Sequence, residues 1–570
     1  MMRTVMWILV LSCAGTCFAA PEFHYLSYLG GDGDDGLSRV HLDGAGFLVA
    51  IATSSSDLVT TAGAFMPSPV PETPTSSDVY LASFAPDHRL LAATFLGAPL
   101  SDRPLLLTRL PGGDVLLVMN STMESLPVDM HHMLDDSYHH DSNEDLLIVR
   151  MLPDLTAPRW TARVEGGSSG ADLSAGVVDG DRLLLSWAAA WWSSDATIPP
   201  TLHRTILHLD DGRLLGDTVE DGCATVALAS RHDGGTLLLR QTRGTLTMPD
   251  DAYQTTPAGA LDMVLTLADA DMQPLASTYF GGSDDDAGEA AVVLPDGSIV
   301  ICARSWSDDL PVVGVDWSHG AAGGGDTDLH LSRWSADLSR ILWAGYLGGS
   351  GFEEFADLAL DDAGHLVVLG WTASPDFPVT PDAPVTTHDQ EFGQGFLTRL
   401  DAVTGAMDAW STFLVAGTWA RPFDLSLASG RMLIGGGCRA PLPLTPDAYD
   451  AVPEGTEAFL LLATDDALVP LEPTQPPRLL PGGLSLDVMG RNRATIALRA
   501  GLPEPAHADV AVHDLRGRRI ASLHVGALPA GFTDLEWDGR TAGGRKAPRG
   551  AYCVSLSAQG RRTSRTITLR

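Results

Sequence analysis

The sequence predicts an all-β chain: a seven-bladed β-propeller closed by its own N-terminal strand, then a small β-sandwich. Three observations carry this. A short string ending in glycine recurs seven times. The segments between copies alternate apolar and polar residues, are punctuated by Gly, Pro and Asp, and hold no sustained helical period. A Pro-rich stretch at 470–477 then separates this array from six further alternating segments.

The chain opens with Arg3, the apolar run "VMWILVL" at 5–11 and small residues near Ala19 and Ala20. This reads as a signal peptide over 1–20 and implies export to the medium or the outer cell surface. The run is too short to span a bilayer, and no later run approaches that length, so no transmembrane segment is expected.

The repeat follows over 21–469. Its copies are "LSYLGG" at 26–31, "AATFLG" at 92–97, "TARVEGG" at 161–167, "LGDTVEDG" at 215–222, "STYFGG" at 277–282, "AGYLGG" at 344–349 and "STFLVAG" at 411–417. Equivalent positions Leu29, Leu96, Val164, Val219, Phe280, Leu347 and Leu414 lie 55 to 68 residues apart. Each unit reads as four strands. A Gly-Gly turn leads to an inner strand, an Asp- and Gly-rich hairpin, a second strand, a Pro- and Asp-containing loop, then a hairpin of two more strands. Such a sheet cannot bury both faces alone, and radial stacking solves this. Inner strand pairs and third strands each number seven. Outer strands number six after a third strand, and the seventh is "FHYLSYLG" at 23–30. The last blade therefore takes its outer strand from the N-terminus, which removes an open edge. The two glycines suggest a corner where φ > 0 is needed.

"YLGGSGFEEFADLALDDAGHLVVLGWTASPDFPVTPDA" at 346–383 resembles the bacterial seven-bladed propeller repeat abbreviated SBBP, as do "YLGGDGDDG" with "SSSDLVTTAGAF" and "YFGGSDDDAG" with "DLPV". The resemblance covers about 23–465 and is weakest in the third and fourth blades, where "VEGGSSGAD" and "VEDGCATV" lack the aromatic. It implies a secreted or surface protein with no defined chemistry.

"PLEPTQPP" reads as an extended spacer within a linker over 470–483. Over 484–570, "RATIALRA", "ADVAVHDL", "RRIASLHV", "FTDLEWDG", "GAYCVSLSA" and "RTITLR" alternate as strands of a small sandwich. The run Trp537-Asp538-Gly539, Gly543-Gly544, Gly550-Ala551-Tyr552 resembles the Ig-like tail of flagellar hook-capping proteins and type IX secretion sorting domains. That resemblance implies a partner in secretion or attachment machinery. An accessory sandwich that merely folds is the plain alternative.

The 570 residues hold 36 basic and 72 acidic side chains, a net charge of −36. Residues 478–570 carry 15 basic and 7 acidic groups, net +8, leaving −44 on residues 1–477. Such a body repels nucleic acid and bare anionic membranes. Past the signal, Cys223, Cys302, Cys438 and Cys553 are too few and too scattered for a disulfide scaffold and read as free thiols, with one bridge inside the propeller as the alternative.

No phosphate loop, dinucleotide fingerprint or zinc quartet occurs, and no catalytic residue is assigned. The acidic turns Asp32, Asp34, Asp35; Asp284, Asp285, Asp286; and Glu353, Glu354 offer hard oxygens suited to Ca²⁺, but without EF-hand spacing they read first as capped turns. His131, His132, His139 and His140, with Asp135, Asp136 and Asp141, could bind a transition metal, against the reading of a solvated insertion. Trp187, Trp191 and Trp192 read as packing between blades, with sugar stacking as the alternative. The expectation is a monomeric, cofactor-free binding scaffold, more an adhesion module than an enzyme, facing a polysaccharide or a surface protein. A glycan-active enzyme using carboxylates on one propeller face, and a purely structural surface-layer protein, are the alternatives.

Overall fold

The computed structural model describes residues 22–569 except 71–75, 98–100, 122–129, 134–144, 166–170, 190–200, 222–223, 271, 318–326, 382, 389–392, 408–409, 415–419, 440–441, 443, 446–447, 450–455, 465–484, 492–495, 503–505, 515–517, 529–530, 544, 549 and 559–560. The signal segment, Cys223, His139, His140, Trp191 and Trp192 lie outside the described residues. The chain divides into two compact units, Met1–Val469 and Pro470–Arg570.

The first unit is a seven-bladed β-propeller. Seven antiparallel sheets follow one another, and the inner strand of each packs on the next around a closed ring. The inner strands are Asp35–Asp43, Arg103–Arg109, Ala171–Asp179, Ala224–Ser230, Asp286–Val293, Glu353–Leu360 and Ala420–Ala428. The last blade is completed by Glu22–Leu29, which pairs antiparallel with Glu457–Thr464 in the register Leu26↔Leu461. Core clusters form between blades from alternate residues of the second and third strands. Val300, Cys302 and Leu331 meet Leu366, Val368 and Leu400, for example. Cys302 and Cys438 are buried free thiols. Trp187 is buried, stacks on His203 at 4.0 Å and donates to Thr205 Oγ1 at 2.8 Å, and it lies in the apolar cluster shared by the second and third blades with Leu116, Ile148 and Val164, so it packs between blades.

The second blade departs from the expected four strands. Met130–Met133, carrying His131 and His132, adds parallel to the outer strand Pro158–Glu165. The outer strand of a blade has a free edge, and this long insertion can return a short strand to cover it.

The corner glycines also differ from expectation. Gly30, Gly281 and Gly348 are absent from the positive-φ residues. What excludes a side chain there is space. A Cβ at Gly348 would stand 2.1 Å from Asp328 Oδ1 and 2.5 Å from Glu353 Oε2; at Gly30 it would stand 1.9 Å from Glu457 Oε2.

At the opposite end, third-strand arginines clamp the hairpin of the same blade. Arg150 Nε meets Asp114 at 2.8 Å, Arg333 meets Asp296 at 2.6 Å, and Arg399, almost fully buried, meets Asp361 at 2.6 Å.

The second unit is a sandwich of two sheets. One joins Ser485–Arg491, Ile496–Leu502 and Gly531–Trp537; the other joins Arg519–Leu528, Ala506–Asp514, Gly550–Ala558 and Arg561–Leu569. The strand at 485–491 adds to the six read from the sequence. Trp537 centres the core, 5.1 Å from the Tyr552 ring, with its indole N–H on Arg540 O at 2.8 Å. No helix among the described residues is long and apolar enough to cross a membrane.

A chain lacking residues 22–29 should keep the tail fold but lose propeller stability, with a melting temperature lower by roughly 10 °C and a tendency to associate through the bared edge. Calorimetry with light scattering reads both.

Candidate functional site

Two sets of polar groups occupy the corner end of the propeller, and they differ in kind. The first repeats. In three corners one acid of the turn starts an inner strand and is buried: Asp35, Asp286 and Glu353. Each accepts the second glycine's amide: Gly31 N to Asp35 Oδ2 at 2.9 Å, Gly282 N to Asp286 Oδ2 at 2.6 Å, Gly349 N to Glu353 Oε2 at 3.4 Å. A clasp from the end of the second strand completes the corner. It reads "TSSSD" at 53–57, "SWSDD" at 305–309 and "TASPD" at 372–376. The middle serine donates to the buried acid at 2.8, 2.9 and 2.6 Å. Its hydroxyl also accepts a turn amide, from Gly33, Asp284 and Gly351. The closing aspartate accepts the preceding amide, from Asp32, Ser283 and Ser350. The motif tyrosine links corners, since Tyr346 Oη donates to Ser307 O at 2.8 Å and accepts Leu310 N.

The sequence-derived acidic candidates therefore separate. Asp35 and Asp286 are buried acceptors of amide and hydroxyl donors. Asp32 and Asp284 are exposed, and Asp32 accepts Ser56 N at 2.8 Å. Asp34 is exposed, and Asp285 pairs with Arg243 at 3.0 Å. The turns sit at separate corners, and no group of three or more His, Cys, Asp or Glu among the described residues is placed to hold a metal ion.

A second acid faces the buried one across the corner. Asp328 opposes Glu353, and Asp262 stands beside Asp286. Burial raises Asp328 and pushes Glu353 up to about 8, helped by the hydrogen bond between the two carboxyls. Two carboxyls so close share one proton.

The second set does not repeat. Every inner strand carries a bulge at one level, for example between Gly288 and Ala290, Phe355 and Asp357, and Pro422 and Asp424. A bulge re-aims the side chains beside it, here toward a central channel of about 290 Å³. The residues following the bulges are Arg39, Leu106, Ala175, Ala227, Ala290, Asp357 and Asp424. Charge thus falls only on blades 6, 7 and 1, while blades 3 to 5 offer alanine. Asp357 Oδ2 accepts Leu425 N at 2.9 Å, Asp424 Oδ2 accepts Val40 N at 2.6 Å, and Arg39 Nε donates to Leu105 O at 3.0 Å. Nearer the mouth, Arg304 Nε lies 3.3 Å from Glu289 Oε1, and Arg421 pairs closely with Glu354.

Enclosure raises these acids. It pushes Asp424 up to about 7, with Arg39 opposing and Asp357 adding, and Glu289 up to about 7, with Arg304 opposing. Asp357 is raised by enclosure and held down in part by the Leu425 and Leu358 amides. All three are half-buried, so channel water reaches them and tempers the effect. The arrangement can hold hydroxyl or amine groups and can exchange protons near neutrality. Sequence reading missed this arc, because its members share no motif and meet only through the ring.

Residues 487–561 match the FlgD Ig-like domain family. The FlgD-type match falls within the two-sheet tail. No curated protein matches the chain. Solved structures similar to it include the Pan2 WD40 domain of Neurospora crassa, at 8% identity over 78% of this chain and 97% of that one, with a TM-score of 0.36. The quinohemoprotein alcohol dehydrogenase of Comamonas testosteroni shares 8% identity over 82% and 79%, at 0.34. The Trypanosoma rangeli sialidase bound to the inhibitor DANA shares 9% over 85% and 86%, at 0.33.

Two outcomes follow. Glu353 binds its proton more tightly folded than unfolded, where a glutamate titrates near 4.3. Its contribution is complete below about pH 4 and is lost as pH rises through about 8. The melting temperature should fall over that window, and Glu353→Gln, which carries a permanent donor toward Asp328, should flatten the slope. Separately, because the corner acids already accept protein donors, EDTA or added Ca²⁺ should move the melting temperature by less than about 1 °C. A saturable rise with Ca²⁺ would assign the corners to the cation.

Proposed function

We propose that the chain is an exported, non-catalytic binding scaffold. Its propeller, of the SBBP type, presents the corner end and channel mouth to a polysaccharide or a surface protein, and its FlgD-type tail serves secretion or surface attachment in the manner of a type IX sorting domain. The observation that carries this is the asymmetry of the channel. In a ring of repeats, residues shared by every blade serve the fold, and residues that set one arc apart from the rest mark where a ligand can be recognised. The breaking residues Glu289, Arg304, Glu354, Asp357, Arg421, Asp424 and Arg39 gather on the consecutive blades 5, 6, 7 and 1. The channel also supplies a concave site, which weighs against a purely structural layer.

Non-catalytic fits the channel aspartates, each of which accepts a backbone amide of the next blade and so helps seal the ring. A glycan-active enzyme is the second reading. It is favoured by Glu289 and Asp424, whose protons are held to about pH 7, the range of a general acid. The full chain incubated with cell-envelope polysaccharide should bind without generating reducing ends. Sustained release of reducing ends, abolished in Asp424→Asn, would replace the scaffold with the enzyme. Mass spectrometry of the native protein should place its N-terminus after Ala19 or Ala20; a C-terminus near residue 470 would mark the tail as a processed address.

A further inference from the structure

We propose that the rim between blades 5 and 6 is a sugar-stacking platform built on Trp306 and Phe352, taking a neutral or amine-bearing polysaccharide. This rests on the binding-scaffold reading and names its ligand class and subsite.

Trp306 is 43% exposed and Phe352 37%, costly places for large rings in a fold that buries most of its aromatics. They adjoin. Ser305, next to Trp306, pairs with Asp328; the neighbouring Thr327 bridges to Phe352. Neither ring is loose. The Arg304 guanidinium lies 5.2 Å from the Trp306 ring centroid and is itself tethered to Glu289. The Trp306 amide donates to Asp285 O at 2.9 Å. The Phe352 ring packs 5.3 Å from the Trp371 ring at an interplanar angle of 45°. An exposed indole pinned through a charge chain reaching into the channel loses little freedom when something lands on it, which is the economy of a pre-organised site.

The surroundings select the occupant. A protein partner seeks a continuous apolar centre, whereas these rings stand among Arg304, Glu354 and the exposed Asp284 and Asp308. A pyranose offers both things the rim can use. Its C–H face meets the negative face of an aromatic ring, and its hydroxyls reach flanking carboxylate and guanidinium groups. The net charge of −44 on residues 1–477 repels an anionic polymer and tolerates a neutral or cationic one.

The test is calorimetric titration of the full chain with laminarin, chitosan oligosaccharides and alginate, in wild type, Trp306→Ala and Phe352→Ala, alongside a reducing-end assay. Binding to laminarin or chitosan but not alginate is expected, weakened about tenfold in each variant with the melting temperature unchanged. Binding that survives both variants overturns the platform while leaving the scaffold standing. No binding to any of the three, with a surface protein cross-linked instead, overturns the sugar assignment and keeps the scaffold. Release of reducing ends overturns the scaffold itself.

Discussion

The fold depends on what happens to two glycine amides at each corner. The chain must cross from the outer edge of one blade to the axis of the next, and in doing so it leaves amides with no strand partner. A buried amide without an acceptor costs more than an ordinary hydrogen bond returns. Asp35, Asp286 and Glu353 solve this from within, each accepting the second glycine's amide while starting the next inner strand. The solution brings its own demand, because a buried carboxylate must itself be satisfied. The clasp serines at 55, 307 and 374 donate to it, and at Glu353 the neighbouring Asp328 shares its proton. Glycine follows as a steric consequence, since the space a Cβ would need is filled by these oxygens.

The corner network also explains why blades join into a ring. Each clasp belongs to the second strand of the blade that the corner enters, and in the fifth blade the outer-strand tyrosine holds the clasp loop as well, Tyr346 donating to Ser307 O, where the first and sixth blades carry Phe95 and Phe413. In the fifth blade crossing, second strand and outer strand are thus tied at one point. The Arg–Asp clamps fix the other end of the blade, where the hairpin would otherwise be held by its turn alone. Between the two ends the blades are held by apolar contact, which sets distance but gives little direction.

The repeat was legible because period and alternation are local properties of the chain. Seven inner strands, seven third strands and a displaced outer strand at 23–30 could be counted from the sequence, and the observed pairing of Glu22–Leu29 with Glu457–Thr464 follows that count. What escaped has a common cause. The clasp acts across some twenty residues, so "TSSSD" looks like an ordinary loop until Ser55 is seen under Asp35. The bulges leave no mark in an alternating string. The fifth strand of the second blade hides in a His- and Asp-rich insertion with no strand pattern, and the tail strand at 485–491 is short and abuts the linker. Arg39 and Asp424 are 385 positions apart in the numbering and become neighbours only when the ring closes.

That last pair bears on where function can reside. Ring closure sets the first and last blades side by side and gives their seam direct hydrogen bonds, Asp424 to Val40 and Ser426 to Leu42, where much of the ring relies on apolar packing. A seam held by polar groups must keep carboxylates in the channel wall, and the wall then has one charged arc and one small apolar arc. The opposite arc is free to stay as alanine and glycine, which keeps the bore open. The asymmetry on which the proposed recognition site rests thus grows from the same constraint that closes the ring. On this argument a ligand at the mouth would bear on the seam as well as on the rim, and occupancy would couple to the stability of closure.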